Sequence, residues 1–393
     1  MLRQCSTALV RSAFIGSQWQ PFAAVAAISA GSWPCSAASL RKASTAAADT
    51  SRNYSAGMPA NAMDLIKELR KTSGAPIADV KSCLAAASWD MDAAMEALRL
   101  KGLAAAVKKA SRHASEGLVA VAQLGHELVS VVEINSETDF VGRSAPFQQL
   151  AAAAAQATLS LAPQAAAAAA GQVHEVDFQQ LAAARLADGS SIEEGCALLA
   201  GQVRENIALR RGYLVRAAPH GVVCSYVHMP VAPGAGRIAA VVALQAENGH
   251  VQQAAQAQLL QLGSHLAMHS AGMNSQYVSR QAMPQAALEA ARADLASAAE
   301  AQMPGKPSEV LAKIVDGKVA KWCKDVCLLD QKYILDDSLT IAQLLKQQAQ
   351  QLELQGRLQV SGLLRLQVGE GLHRDDDGTL DFAAEVAAMA GSK

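Results

Sequence analysis

Between residues 58 and 102 the apolar positions recur at helical spacing in three short runs. Leu65, Ile66 and Leu69 share one face of a segment from Met63 to Thr72, which Ser73-Gly74 stops. Ile77, Val80 and Leu84 form a second stripe behind Pro76, whose missing N–H suits a first helical turn. Asp90 is placed to cap a third helix with Met91, Ala94, Met95 and Leu98 on its apolar face and Gly102 at its end. Three helices in so short a stretch predict a small bundle with the shape of a ubiquitin-associated domain. Lys81, Lys101, Lys108 and Lys109 are left to water.

The pattern then changes to short apolar runs. Leu118–Leu124 and Leu128–Ile134 flank Gly125-His126-Glu127, which predicts a hairpin. A helix starts near Pro146-Phe147. Residues 151–171 are nearly pure alanine, define no face, and read as an extension outside the core. Helices are predicted from Asp177 to Ala187 and from Ser191 to Arg211, followed by a strand at Gly212–Ala217. The order recurs: strands Gly221–His228 and Arg237–Gln245 around a Pro/Gly loop at Pro230–Gly236, a helix from Val251 to Ala271, and a strand at Gly362–Val368. This predicts an α+β fold with a duplicated core, each half a three-stranded, mostly antiparallel sheet packed on helices. Two apolar stripes interrupt the second half: Leu288, Ala291 and Leu295, then Leu311, Val315, Val319, Trp322 and Val326. The turn Met303-Pro-Gly-Lys-Pro307 between them predicts a protruding helical hairpin. A helix from Asp337 to Gln351 completes the pattern.

Composition narrows the function. Alanine is abundant and aromatics make up only 4% of residues, so packing layers are thin. A formal charge of −1 argues against a nucleic-acid surface. No apolar run reaches the roughly 18–20 residues of a membrane span. The cysteines are scattered except Cys323 and Cys327, which have no matching second pair, so reduced, buried thiols are expected. Residues 1–48 contain no Asp or Glu but carry Arg3, Arg11, Arg41 and Lys42 among many Ser and Ala. That is the composition of an organelle transit peptide. Arg52-Asn-Tyr-Ser-Ala56 resembles a mitochondrial processing site with cleavage after Tyr54. The matrix is the expected destination, with the chloroplast as alternative.

Sites for covalent chemistry are not legible. There is no phosphate-cradling P-loop, dinucleotide glycine pattern or nucleophile elbow. His265 and His269 have the i, i+4 spacing of metal ligands on a helix, but no Glu stands between them and no third ligand is evident; helix packing is the favoured reading. No cofactor is expected. The segment Glu133–Arg143 is different. It leaves an apolar strand, turns polar, and presents Asp139-Phe140 ahead of a small Gly142 expected to be mobile. Such a Phe either folds back under its own loop or enters another protein.

Several ordered motifs decide between these. Leu65-Ile-Lys-Glu-Leu-Arg-Lys-Thr-Ser-Gly74, Ala78-Asp-Val-Lys81, Ala105-Ala-Val-Lys-Lys109, Glu116-Gly-Leu-Val119 and Thr138-Asp-Phe-Val141 resemble elongation factor Ts. So do Leu339-Thr-Ile-Ala-Gln-Leu-Leu-Lys346, Val368-Gly-Glu-Gly371 and Asp381-Phe-Ala-Ala-Glu-Val-Ala-Ala-Met389. The resemblance implies a guanine-nucleotide exchange factor for elongation factor Tu, with no covalent step and no direct contact with nucleic acid or membrane. Outside the resemblance, composition and the processing motif mark a transit peptide at 1–54. The resemblance implies the bundle and a linker helix at 55–112, and a first core subdomain at 113–218. A second core subdomain follows at 219–285 and 328–371, interrupted by a coiled-coil hairpin at 286–327, with a C-terminal module at 372–393. Carried over by motif, Phe140 is a wedge, Asp139 its polar companion, and Thr138 and Val141 its flanks. Lys81, Lys109, His228, Ile334 and Leu335 are further partner contacts. Arg204 stands where the family often has Gly. The hairpin is free to dimerise, giving a dimer of heterodimers, to touch the partner, or to do both. The competing binding-module reading, from helix spacing alone, is a ubiquitin adaptor using the bundle.

Overall fold

The computed structural model describes residues 59–162, 171–247, 253–354 and 356–372. The expected transit peptide, alanines 165–170 and the motif at 381–389 lie outside the described residues.

Helices α1 (Ala62–Ser73), α2 (Ile77–Ala86) and α3 (Met91–Lys109) enclose Ile66, Leu69, Val80, Cys83, Leu84, Ala94 and Leu98. Gly74 ends α1 in the left-handed conformation, its N–H bonded to the Arg70 carbonyl. Asp90 caps α3 by accepting from the Ala93 N–H at 2.7 Å. Two expectations fail. Ile77, the first residue of α2, is 45% exposed, and Cys83 fills the inner face instead. Gly102 does not end α3, which runs on to Lys109. Its role is lateral: it lies against Gly201 of a later helix, and the missing side chains let the two backbones touch.

The first half of the core contains β1 (Glu116–Leu124), β2 (Leu128–Ser136), the single-turn α4 (Asp139–Gly142) and α5 (Ala145–Leu159). It continues with β3 (Val173–Glu175), α6 (Phe178–Ala183), α7 (Ile192–Val203) and β4 (Ile207–Arg216). The second half contains β5 (Gly221–Ala232), β6 (Ala235–Ala246), α8 (Gln253–Gly272), the hairpin helices α9 (Gln285–Gln302) and α10 (Ser308–Val326), and then β7 (Lys332–Tyr333), β8 (Asp336–Thr340), α11 (Ile341–Gln351) and β9 (Leu358–Gln367).

All strand pairings are antiparallel. The expected pair of sheets is joined: the order is β3-β4-β2-β1-β6-β5, with β9 also on β6. The bridge is two residue pairs, Val119↔Gly236 and Ala120↔Ala235. Val119, Val129, Val131 and Val215 from the first half share one buried cluster with Val223, Val241, Leu364 and Leu366 from the second. The half-sheets therefore face each other. On its outer side the first half packs on α5, α6 and α7, and the second on α8 and α11.

The alanine-rich stretch is not an extension over its first part. Ala151, Ala154, Ala155 and Leu159 of α5 are buried against β1 and β2, and the Ser130 hydroxyl donates to the Ala155 carbonyl at 2.6 Å. Small side chains bring the helix close enough for that bond. Other boundaries shift. The helix predicted to reach Arg211 stops at Val203, because Arg204 turns left-handed (φ 63°) and β4 begins at Ile207. Strands β5 and β6 extend through most of the predicted loop, leaving Pro233-Gly234 as the turn. The last helix starts at Ile341, where Thr340 and Gln343 form a capping box; residues 336–340 are strand. In the hairpin, Val315, Val319, Cys323 and Val326 of α10 bury against Ala299 and Leu295 of α9.

Candidate partner-binding surface

Strand β2 runs straight into the turn that carries Phe140. Its inner residues anchor it on the α5 side through Val132 and Ile134. Glu133 is fully buried on the opposite side, where its carboxylate receives Arg210 at 2.8 Å, Arg211 at 2.7 Å and the Gly369 N–H at 2.8 Å. The two arginines brace it from the neighbouring strand of the same half, and the Gly369 bond ties the end of the second half-sheet to the strand just before the turn.

Past Ser136 the β2–β4 ladder ends, and side chains take over. The Glu205 carboxylate receives the Thr138 backbone N–H at 3.0 Å and its hydroxyl at 2.8 Å. In return the Glu137 carboxylate receives the Asn206 N–H at 2.6 Å. The Asn206 side chain donates to the Arg112 carbonyl at 2.7 Å, just beyond α3. Thr138 is extended, and the chain then makes one helical turn. Val141 packs inward on the first core cluster, and Gly142 is buried against Gly117 of β1 rather than free to move. The Arg143 guanidinium pairs with the Asp139 carboxylate at 3.1 Å. Phe140 is 80% exposed. With Val141 and Gly142 seated, it cannot fold under its own loop without breaking the turn.

The other expected contacts form two groups. Lys81 projects from α2, exposed and without a hydrogen-bond or ion-pair partner among the described residues. Lys109 is not left in water as expected. It is half-buried, and its ammonium donates to the Ala200 carbonyl in the last turn of α7 at 3.0 Å. Burial, reinforced by the Arg112 charge, pushes its pKa down. Lys101 stays exposed as expected, and pairs with Asp79 at 2.6 Å.

The second group lies on the other half. His228 is exposed near the end of β5, its Nδ1 3.5 Å from the Tyr226 hydroxyl. Met229 beyond it has a positive φ of 52° and Pro230 starts a bulge, so the strand bends here. Ile334 and Leu335 are the tip of the β7–β8 hairpin, 48% and 57% exposed. His265 and His269 of α8 hold that hairpin. His265 Nδ1 meets the Tyr333 hydroxyl at 3.2 Å. His269 is buried; its Nδ1 accepts from the Ile334 N–H at 3.2 Å, so Nε2 carries the proton and donates to Gln331 Oε1 at 3.0 Å. Gln331 Oε1 also accepts from the Ser275 hydroxyl, and its amide donates to the Asp325 carbonyl. Burial pushes the His269 pKa below its ordinary 6.5. Among the described residues no group of three or more His, Cys, Asp or Glu is placed to hold a metal.

A model of the family described as "Elongation factor TS" matches residues 137–370, the stretch that begins with the clamp on Thr138 and ends beside Glu133. This chain belongs to the elongation factor Ts family. A protein of Oryza sativa subsp. indica named "Elongation factor Ts, mitochondrial" is 36% identical over 333 residues, covering 82% of this chain and 83% of its own. One of that name from Chlamydomonas reinhardtii is 38% identical over 354 residues, covering 85% and 88%. The "Elongation factor Ts" of Agrobacterium fabrum is 37% identical over 326 residues, covering 83% and 97%. The resemblance read from the motifs thus extends over most of the chain.

Two parts of the surface escaped the sequence. Glu205 and Asn206 stand directly after Arg204, and the Glu137–Thr138 pair opens the turn; only the β2–β4 register brings them together. The Gln331 amide that fixes His269 likewise comes from a residue carrying no pattern of its own.

Proposed function

We propose that this chain is a translation elongation factor that binds elongation factor Tu carrying GDP, promotes GDP release and allows GTP to enter. The observation that carries the reading is Phe140, exposed on a turn whose neighbours are all fastened. Burying a Phe in an apolar pocket of a partner contributes about 1.5–3 kcal/mol. If that pocket, between two helices of the partner's G domain, opens only when the Mg²⁺ and phosphate loops shift, burial and nucleotide loosening are coupled. Mg²⁺ tolerates little displacement from octahedral geometry. The coupling is reciprocal, and about 3 kcal/mol corresponds to roughly 150-fold in affinity. The chain itself performs no covalent step.

Asp139, braced by Arg143, meets polar groups at the rim of that pocket; Thr138 and Val141 set the turn. Lys81 and Lys109 extend the contact from the N-terminal helices, which we read as a bundle of the ubiquitin-associated shape. Lys109 must leave or share the Ala200 carbonyl to do so. His228, Ile334 and Leu335 grip a second region of the partner. The α9–α10 hairpin is read as a coiled coil that can pair two such complexes. The acid-free N-terminus and the mitochondrial relatives support a mitochondrial matrix location. The ubiquitin-adaptor reading is not favoured, since it accounts for none of the core motifs.

The test is stopped-flow release of a fluorescent GDP from elongation factor Tu. Phe140→Ala slows release while the far-UV spectrum and melting temperature stay unchanged. An unchanged release rate would remove Phe140 as the wedge.

A further inference from the structure

We propose that Glu205 is a positioning residue for exchange: its carboxylate holds the Asp139–Phe140 turn in the geometry that enters the partner. This rests on the exchange reading above. The turn sits where the β2–β4 ladder runs out, after the pair Ser136↔Ile207. From there the two chains continue side by side without carbonyl-to-amide bonds. Glu205 and Glu137 replace them reciprocally, each accepting the backbone N–H of the residue that follows the other. Glu205 goes further and also takes the Thr138 hydroxyl, so one carboxylate fixes both the backbone and the side chain of the residue that starts α4. Thr138 offers α4 no side-chain cap, so its hydroxyl is spent on this outward bond.

The consequence is mechanical. A four-residue helix has no stability of its own. Its position is set by what grips its two ends. Gly142 and Val141 seat the far end, and Glu205 grips the near end. Without Glu205, Phe140 retains its exposure but must be ordered at the moment of insertion, which lowers the rate of the step that needs it. The clamp also reaches α3, since Asn206 binds the Arg112 carbonyl. The turn is therefore held in register with the N-terminal helices that approach the same partner.

The experiment uses the full chain. GDP release is followed at increasing exchange-factor concentration for wild type, Glu205→Ala, Glu205→Gln and Phe140→Ala. Glu205→Ala is expected to lower the saturating rate about tenfold, with the half-saturating concentration within about twofold of wild type. Glu205→Gln, whose amide oxygen still accepts the Thr138 N–H, restores most of the rate. Amide exchange at Arg143 and Ser144, which bond within the turn, speeds up in Glu205→Ala, while exchange in β1 and β2 does not. Should Glu205→Ala fold poorly, Thr138→Val removes only the hydroxyl bond and must show the same shift in smaller size. A melting temperature that falls in Glu205→Ala while the saturating rate holds makes the residue merely structural and overturns the proposal. A rate lost in Phe140→Ala but intact in both clamp variants overturns the clamp alone. A rate intact in Phe140→Ala overturns the exchange reading beneath it.

Discussion

Gly102 of α3 and Gly201 of α7 meet backbone to backbone. A Cβ built on Gly201 would lie 2.8 Å from the Gly102 Cα, whereas one built on Gly102 finds its nearest neighbour at 4.0 Å. The two positions therefore answer alanine differently. Gly201→Ala forces the helices apart and costs about 1–3 kcal/mol. Gly102→Ala fits and gains up to about 1 kcal/mol from helix propensity. Urea unfolding of the two variants checks both signs.

Arg204 caps α7 in the left-handed region, with φ 63° and ψ 20°. Its compensation is a long, exposed ion pair to Asp79 at 3.9 Å, which contributes little. Arg204→Gly relieves the backbone and raises stability by about 0.5–1 kcal/mol. The same variant leaves Glu205 in place, so nucleotide release is unchanged. Thermal melts and the release assay report on each half of that statement.

His269 must be neutral, because its Nδ1 accepts from the Ile334 N–H. Its pKa in the folded chain lies below the 6.5 of an unfolded histidine. Between those two values the unfolded chain binds the extra proton, so the contribution is complete above pH 6.5 and is lost as pH falls below it. Stability measured from about pH 7.5 to about 5.5 declines for wild type, and the slope shrinks in His269→Gln whatever the baseline. The imidazole resonances of His269, followed by NMR, titrate below the ordinary range.

Leu335 is 57% exposed at the hairpin tip and belongs to no buried cluster. Leu335→Ser shifts folding stability by no more than about 0.5 kcal/mol. Affinity for elongation factor Tu drops by about 1–2 kcal/mol, as for truncation of an interface anchor. Calorimetric titration separates the two; equal affinity would take the tip out of the contact.

Periodicity served where a face was one-sided. In α1, Ile66 and Leu69 face inward while Lys67, Glu68, Arg70 and Lys71 stay exposed, and the helix falls where the spacing puts it. The motif at Thr138–Val141 likewise located the exposed Phe. Sequence reading failed where small residues carry the packing. Ala151 to Ala155 define no stripe because alanine is weakly apolar on every face, yet the sheet needs that lack of bulk. Gly102 resembled a stop because its partner, Gly201, is distant in the chain. Arg204 hid a helix end, since nothing in an arginine announces a left-handed turn. The clamp at Glu205 depends on strand register, which one-dimensional pattern does not contain.

Strand β6 pairs with β9 along nearly its whole length, although α8, the hairpin and α11 all intervene. A chain emerging from a ribosome or an import channel has β5 and β6 long before β9. Until Leu358–Gln367 arrives, β6 offers an open edge, and a two-stranded ribbon is marginal in water. Glu133 also waits, since the Gly369 N–H that it binds is further still toward the end. The turn bearing Phe140 and its clamp at Glu205 can thus form early, while the strand behind them gains its last bond only at the end. A nascent or truncated chain lacking its last stretch has an exposed Phe140 without the finished frame, and it is a client for chaperones before it is an exchange factor.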